Sequence, residues 1–379
     1  MSHAGPYTTT RRWSPFQRVS PREVPEHPSA MTSLREILDI QLPIVQAPMA
    51  GVQGSALAVA ISNAGGLGSL PGALLSAEAL RNELVAIRAQ TAKPYNVNFF
   101  CHTRPVPDPD REARWRDALM PYFTEFGVDV ADIPTGPGRL PFSHETADVL
   151  EEFRPPVISF HFGLPSDDLL QRIRGWGSKI LSTATTVDEA RWLAARGVDA
   201  VIAQGTEAGG HRGSFLSDDL NAQMGTMALV PQVAQAVEVP VIAAGGIADA
   251  PGIAAVLALG ASGAQLGTTF LLCPEATTSA VHRAALTSDR ARVTAITNVF
   301  TGRPARSIVN RLVRELGPMS AVVPEFPLAS LAVTALRAKA ERADTGECSP
   351  LWAGQNVTGC RELPAVFILM DLAPALLLA

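Results

Sequence analysis

The 379-residue chain is poor in the features that mark several large protein classes. It has four cysteines, at 101, 273, 348 and 360, with no C-x-x-C pair and no histidine spaced to complete a zinc site. Neither a disulfide framework nor a structural metal is therefore indicated, and a reducing cytoplasm is the expected setting. No apolar run approaches the roughly 20 residues a bilayer span requires. The most apolar stretch, PAVFILMDLAPALLLA at 364–379, is interrupted by Asp371 and two prolines. Lys plus Arg is 31 against 36 Asp plus Glu, for a net charge of −5, and the body of the chain has no basic cluster. The electrostatic footprint of a nucleic-acid binder is missing. Residues 1–30 hold Arg11, Arg12, Arg18 and Arg22 among five prolines but no apolar h-region, so they read as a disordered arm and not as a secretory signal. Met31, where that arm ends, is a candidate older start.

What is present is a globular composition, 47% hydrophobic and 18% charged, in a chain long enough for one large core. After a short helix expected from Thr32 or Ser33, β-branched runs alternate with stretches rich in Ala and Leu. Eight runs read as strands: 43–47, 66–70, 95–100, 156–162, 179–184, 200–205, 240–245 and 263–267. Between them, 76–90, 186–197 and 249–260 carry helical periodicity. Eight βα units over this length predict an α/β protein with a (β/α)8 TIM barrel. Two stretches fall outside the repeat. Residues 101–143 are dense in Pro, Arg and Asp and form an insertion within the barrel unit at 31–270. Residues 271–355 are expected to form a smaller, mainly helical subdomain on the substrate side, with 356–379 as a C-terminal helix on the barrel.

In such barrels the working groups sit where strands end. The seventh and eighth strands end as AAGGI and AQLGTTF, which puts Gly245, Gly246, Gly267 and Thr268 where a phosphate binds in many barrels. The alternative for each turn taken alone is an ordinary tight turn. With no G-x-x-x-x-G-K-[ST] and no G-x-G-x-x-G, a singly phosphorylated cofactor with an apolar ring, such as FMN, fits better than a nucleotide triphosphate or a dinucleotide. Gln46, Asn98, Gln204 and Gln265 lie in or at the ends of strands where an amide can point inward. The loop AQGTEAGGHRG at 203–213 is expected to carry Glu207, His211 and Arg212 beyond the rim. A neutral imidazole at His211 could take a proton from a carbon acid. His161, in SFHFG, is balanced between core packing and lining the site. No G-x-S-x-G and no H-E-x-x-H occurs, which disfavours the common serine and zinc hydrolases.

QAPMAG, SNAGGLGSL, KPYNVNFF, SFHFGLP, QGTEAGGHRG, PVIAAGGIADAPGIAAVLALGA and QLGTTFL occur in this order, followed by FTGRPARSIVNRLVRE and LWAGQ. As a set they resemble the nitronate monooxygenase family, formerly called 2-nitropropane dioxygenases. That resemblance implies an FMN-dependent barrel that oxidises alkyl nitronates with O2 to a carbonyl compound and nitrite, with nitroalkanes as candidate further substrates. It implies FMN contacts at Asn98, Gln204, Gly209, Gly246 and the run Gln265, Leu266, Gly267 and Thr268, with Ala47, Pro48 and Met49 against the ring. His211 is implied as the catalytic base. The expected partners are a small-molecule nitronate or nitroalkane and O2, with a homodimer as the candidate assembly. Flavin-dependent enoyl-acyl-carrier-protein reductases and NAD(P)H:quinone reductases share the barrel and much of the glycine pattern, so an NAD(P)H-dependent reductase is the alternative activity. A flavin-binding protein without catalysis is a third reading. Beyond these motifs, the stretch at 101–143 is expected to reshape the entrance.

Overall fold

The computed structural model describes Met1 and residues 33–374. The arm expected at 1–30 therefore lies, Met1 apart, outside the described residues. The first helix, Leu34–Leu38, begins at Ser33, whose hydroxyl accepts from the Glu36 N–H while the Glu36 carboxylate accepts from the Ser33 N–H. Such a capping box satisfies two of the otherwise orphaned donors of a helix start.

Strands β1 (Ile44–Gln46), β2 (Gly68–Pro71), β3 (Tyr95–Phe100), β4 (Val157–His161), β5 (Lys179–Ala184) and β6 (Ala200–Gln204) follow in chain order. A short strand, β7 (Gly210–His211), leaves the barrel before β8 (Val241–Ala244) and β9 (Gly263–Leu266) return to it. The eight barrel strands are parallel, in the order β1-β9-β8-β6-β5-β4-β3-β2. A further parallel bridge between Val45 and Leu67 joins β1 to the start of β2 and closes the ring. All eight expected strands are present; 95–100 and 179–184 match at both ends and the ends of the others shift by at most two residues.

Strand alternation divides the apolar residues into two sets. Ile44, Ile158, Val201, Ala243 and Ala264 face the surrounding helices, among them the C-terminal Ala365–Leu372. Val45, Leu67, Val157, Leu181, Ile202 and Ile242 form the other set and cluster with Leu34 and Leu38 of the first helix. That cluster fills the barrel interior, so the site has to be at the opposite mouth. The surrounding helices start on the residues that the sequence offers as caps, Ser76, Thr186 and Asp249, each accepting a backbone N–H three residues on.

A second core lies beyond the strand ends. The helix Pro109–Phe126, from the Pro- and Arg-rich stretch, packs Trp115, Leu119, Tyr122 and Phe123 against Val333 and Leu336 of the helix Ala329–Arg342. Trp115 Nε1 donates to the Ala329 carbonyl at 3.3 Å. Residues 271–355 also contribute β10 (Thr294–Thr297) and β11 (Ala305–Ile308), an antiparallel pair to which β7 adds a third strand. Ala305 of β11 is in register with His211. The stretch at 101–143 thus shares a core with residues more than two hundred positions later. No helix among the described residues is long and apolar enough to cross a membrane.

Candidate active site

The C-terminal ends of the barrel strands surround one cavity. Its walls include Ala47, Pro48, Met49, Asn98, Gln204, Gly209, Gly245, Gly246, Gln265, Leu266, Gly267, Thr268 and His211, so every residue expected at a cofactor or catalytic position lines it. Gln46 does not. Its side chain is buried below the cavity, bonded to Gln53 at 2.6 Å and accepting the Ser69 N–H at 2.9 Å, where it ties β1 to β2.

One wall is made of backbone. Gly245 and Gly246 have φ of +118° and +72°, a region that side-chain-bearing residues rarely adopt. A Cβ on Gly209 would stand 2.6 Å from the backbone of Ala353 and Gly354, so the loop after β6 can approach that segment only without a side chain. The segment in turn stitches the loops together. Asn356 Nδ2 donates to the Gly246 carbonyl at 3.1 Å, the Gly354 N–H donates to Thr268 Oγ1 at 2.9 Å, and the Gln355 N–H donates to the Glu207 carbonyl at 3.0 Å.

The loop from 203 to 213 is built differently from the expectation. Arg212 does not extend beyond the rim: it is fully buried, and its guanidinium donates to the carbonyls of Gln204 and Gly205, each at 2.7 Å, and to Gln223 Oε1. Glu207 also turns inward. Its carboxylate accepts from the N–H and hydroxyl of Thr226, which starts the helix Thr226–Ala236. Both charged residues serve the scaffold, because a long loop over a barrel mouth needs its carbonyls and the next helix start satisfied.

His211 sits in β7 and is held from both ends. Its carbonyl accepts from Gln204 Nε2 at 3.0 Å and from His161 Nε2 at 3.2 Å. Because His161 Nε2 faces a carbonyl it must carry the hydrogen, which leaves His161 Nδ1 to accept from the Thr183 hydroxyl at 3.1 Å. His161 therefore both lines the cavity and positions His211. On the ring itself, His211 Nε2 lies 2.9 Å from Thr301 Oγ1, and that hydroxyl points on toward the Arg303 carbonyl at 3.5 Å. A hydroxyl donating to the carbonyl accepts from Nε2–H, and this relay assigns the lone pair to Nδ1.

The surroundings of His211 are aromatic, with ring centroids of Phe326 and Trp352 at 5.4 and 5.5 Å and of Phe162 and Phe100 at 5.9 and 6.0 Å. Burial among them, together with the nearby positive charge of Arg139, holds the imidazole pKa well below its ordinary value. Burial likewise pushes His161 down to about 3. Both rings are neutral at physiological pH.

Several wall residues have no counterpart in the sequence reading: Phe100, Arg139, Thr183, Trp352 and Asn356. Trp352 lies within LWAGQ, the last of the recognised motifs, and Arg139 within the stretch that did not fit the barrel repeat. Thr301, beside His211, lies within FTGRPARSIVNRLVRE, and Phe326 lies outside every recognised motif. Among the described residues no group of three or more His, Cys, Asp or Glu is placed to hold a metal ion.

The cavity suits a flavin mononucleotide on two observations. Gln265 Oε1 is buried without a hydrogen-bond partner, as an acceptor awaiting a ring N–H would be. Gly245, Gly246 and Gly267 line the cavity without side chains, with the Thr268 hydroxyl beside them.

Comparison with known proteins agrees in sequence and in fold. A family model described as nitronate monooxygenase matches residues 31–373. A nitronate monooxygenase of Pseudomonas aeruginosa is 43% identical over 349 residues, covering 90% of this chain and 97% of its own. One of Paraburkholderia phytofirmans is 42% identical, covering 90% and 93%. Among solved structures, nitroalkane oxidase from Streptomyces ansochromogenes superposes with a TM-score of 0.82 at 39% identity, over 92% of this chain and 99% of its own. FabK from Thermotoga maritima does so at 0.67 and 27%, over 91% and 96%.

Proposed function

Since this chain belongs to the nitronate monooxygenase family, we propose that it oxidises alkyl nitronates, and nitroalkanes after loss of their α-proton, with O2 to a carbonyl compound and nitrite, using FMN held in the barrel mouth. The observation that carries this reading is the convergence on one cavity of a backbone-walled pocket and a neutral histidine with a free ring nitrogen.

In this reading Gly245, Gly246, Gly267 and Thr268 hold the phosphate, Asn98, Gln204 and Gln265 face the polar edge of the ring, and Ala47, Pro48 and Met49 lie against its face. Gln204 has less to offer than its position suggests, because its amide already bonds the His211 carbonyl and the Gly213 N–H. The bound flavin supplies the electron-accepting chemistry. The chain's own contribution is to proton transfer and to the exclusion of water. A neutral nitroalkane has to lose the proton on the carbon bearing its nitro group before it becomes electron-rich, and Nδ1 of His211 is the base placed for it. The Thr301 hydroxyl receives the Nε2–H and keeps the ring in the useful tautomer. Phe100, Phe162, Phe326 and Trp352 surround the imidazole and lower the local dielectric, which keeps the base unprotonated at neutral pH.

The experiment is the identification of the cofactor released from the purified protein, paired with nitrite formation from a preformed nitronate. FMN in the supernatant and oxygen-dependent nitrite support the reading; FAD, or a yellow protein inert to nitronates, rejects it. The likeness to FabK favours a test of the second reading on the same sample. Anaerobic bleaching of the flavin by NADH or NADPH, with no nitronate turnover, would make the protein an NAD(P)H-dependent reductase of an enoyl thioester or a quinone.

A further inference from the structure

Arg139 lines the cavity, and three further arginines lie on the segments that build it and are accounted for. Arg212 holds the carbonyls of the loop after β6. Arg306 donates to the Thr206 carbonyl at 2.8 Å and to Thr294 Oγ1 at 3.0 Å. Arg303 donates to the Ser214 carbonyl, lies over the Phe162 ring at 4.1 Å and feels the charges of Asp218 and Glu189.

Arg139 is the exception. Among the described residues it is the one charged residue in the cavity wall, and no Asp or Glu lines that wall with it. Loss of water alone moves its guanidinium, down to about 10, and no carboxylate among the described residues acts on it in return. It stays protonated at neutral pH, in a setting where an uncompensated charge is costly. Its backbone is fixed: the Arg139 carbonyl accepts from His102 Nε2 at 3.1 Å, and the preceding Gly138, at φ +65°, lies against Pro327 where a Cβ would be 2.9 Å from the ring. A positioned cation without a counter-ion, in a cavity whose histidines are neutral, is a site for an anion. The anion has to be small enough to share the cavity with His211.

We propose that Arg139 binds the negatively charged O–N–O group of the substrate and is the residue that selects planar, resonance-delocalised anions. This rests on the functional reading above for the identity of the substrate. The geometry matches: a guanidinium presents parallel N–H groups to two oxygens of one plane, as it does to a carboxylate. For a preformed nitronate the pair neutralises the charge that the aromatic wall would otherwise penalise. For a neutral nitroalkane, charge grows on the same two oxygens as the proton leaves for His211, so Arg139 stabilises the product of that step.

Nitrate serves as the test ligand, because it is planar, carries the same O–N–O group and has no carbon to oxidise. Its binding to the flavin-loaded protein is measured by calorimetry for wild type, Arg139→Gln and Arg139→Lys, with flavin content and melting temperature as controls. Arg139→Gln is expected to weaken nitrate about 10- to 100-fold, the loss typical of charge-assisted hydrogen bonds, and to raise KM for a nitronate far more than for the neutral nitroalkane. Arg139→Lys is expected to recover part of the affinity, since it restores the charge but not the fork. Unchanged nitrate affinity in Arg139→Gln overturns the proposal. Loss of flavin in step with loss of nitrate also overturns it, by making Arg139 a partner of the cofactor phosphate. Nitrate binding that depends on Arg139 in a protein inert to nitronates would uphold the anion site and reject the activity.

Discussion

The two walls of the cavity are built from different materials. Around Gly209, Gly245, Gly246, Gly267 and Gly354 the surface is main chain, drawn together by three hydrogen bonds from the segment 354–356 and shaped by the absence of side chains. The other wall is made of side chains: Phe100, His211, Trp352 and Arg139 line the cavity, and Phe162, Phe326 and Thr301 pack around His211. A backbone wall presents N–H groups that neither titrate nor change rotamer, which suits a cofactor held for many turnovers. A side-chain wall can hold a proton, a charge and a dry environment at chosen atoms, which suits the substrate. We expect damage to the first wall to empty the site and damage to the second to slow a site that is still full.

The largest effect is expected from Gly246→Val. A β-branched residue at φ +72° is strained, its Cβ would lie 3.3 Å from the Glu207 side chain, and it would distort the loop proposed to hold the phosphate. The protein should purify almost colourless, as absorbance near the flavin bands will show, and full flavin occupancy would remove the phosphate from this wall. Next comes His211→Asn. Turnover of a neutral nitroalkane should fall by roughly 10²- to 10⁴-fold, as for loss of a general base, with the matching nitronate much less affected. Equal losses on the two substrates would make His211 a positioning group.

How the comparison reads in the sequence follows from the same difference in material. The backbone wall is local: the pair Gly245 and Gly246 directly follows the strand VIAA and Gly267 directly follows the strand GAQL, so all three could be placed by counting strands. His211 stands out in the sequence by its glycine-rich surroundings, AQGTEAGGHRG. Arg139 and Phe326 lie outside every recognised motif, and their segments and that of Thr301 adjoin a core the helix Pro109–Phe126 shares with Val299, Phe300 and residues near 330, a long-range contact with no periodic signature. The expectation for Arg212 and Glu207 failed for a related reason. Charged residues in a loop read as exposed unless the carbonyls and the helix start that need them are known, and those are set by tertiary structure. The strand pair β10 and β11 is short and flanked by turns, and it is completed by β7 from a distant part of the chain.

Smaller effects sharpen the picture of the side-chain wall. Thr301→Val removes the acceptor for His211 Nε2–H at nearly constant volume. Nitroalkane turnover should drop about 3- to 10-fold, the worth of one neutral hydrogen bond, while nitronate turnover holds and Thr301→Ser restores the rate. A drop shared by both substrates would place Thr301 in packing alone.

Acid should act on the same wall. His102, His161, His211 and His282 all have pKa values pushed below the ordinary value, chiefly by burial, and His282 Nε2 bonds the carbonyl of Trp352. Depressed in the folded state, each is neutral there while its unfolded counterpart takes up a proton below about pH 6.5. Their contribution to stability is therefore whole above that pH and is lost as pH falls toward about 4, where His282 titrates, and about 3, where His161 does. The buried members His161, His211 and His282 each cost at most about 1.4 kcal/mol per pH unit in that window. Denaturant midpoints measured from pH 7.5 to 4.5 should fall on the acid side, and a flat profile would mean that these rings are not buried as described.

The division of labour between the two walls is tested most directly by one quantity, turnover of a neutral nitroalkane per bound flavin, measured side by side in Gly246→Val and His211→Asn. The account predicts that the little flavin left in Gly246→Val works at close to the wild-type rate, whereas His211→Asn keeps its flavin and loses its rate. The reverse pattern, in which His211→Asn loses the flavin and Gly246→Val keeps it but turns over slowly, would contradict the account.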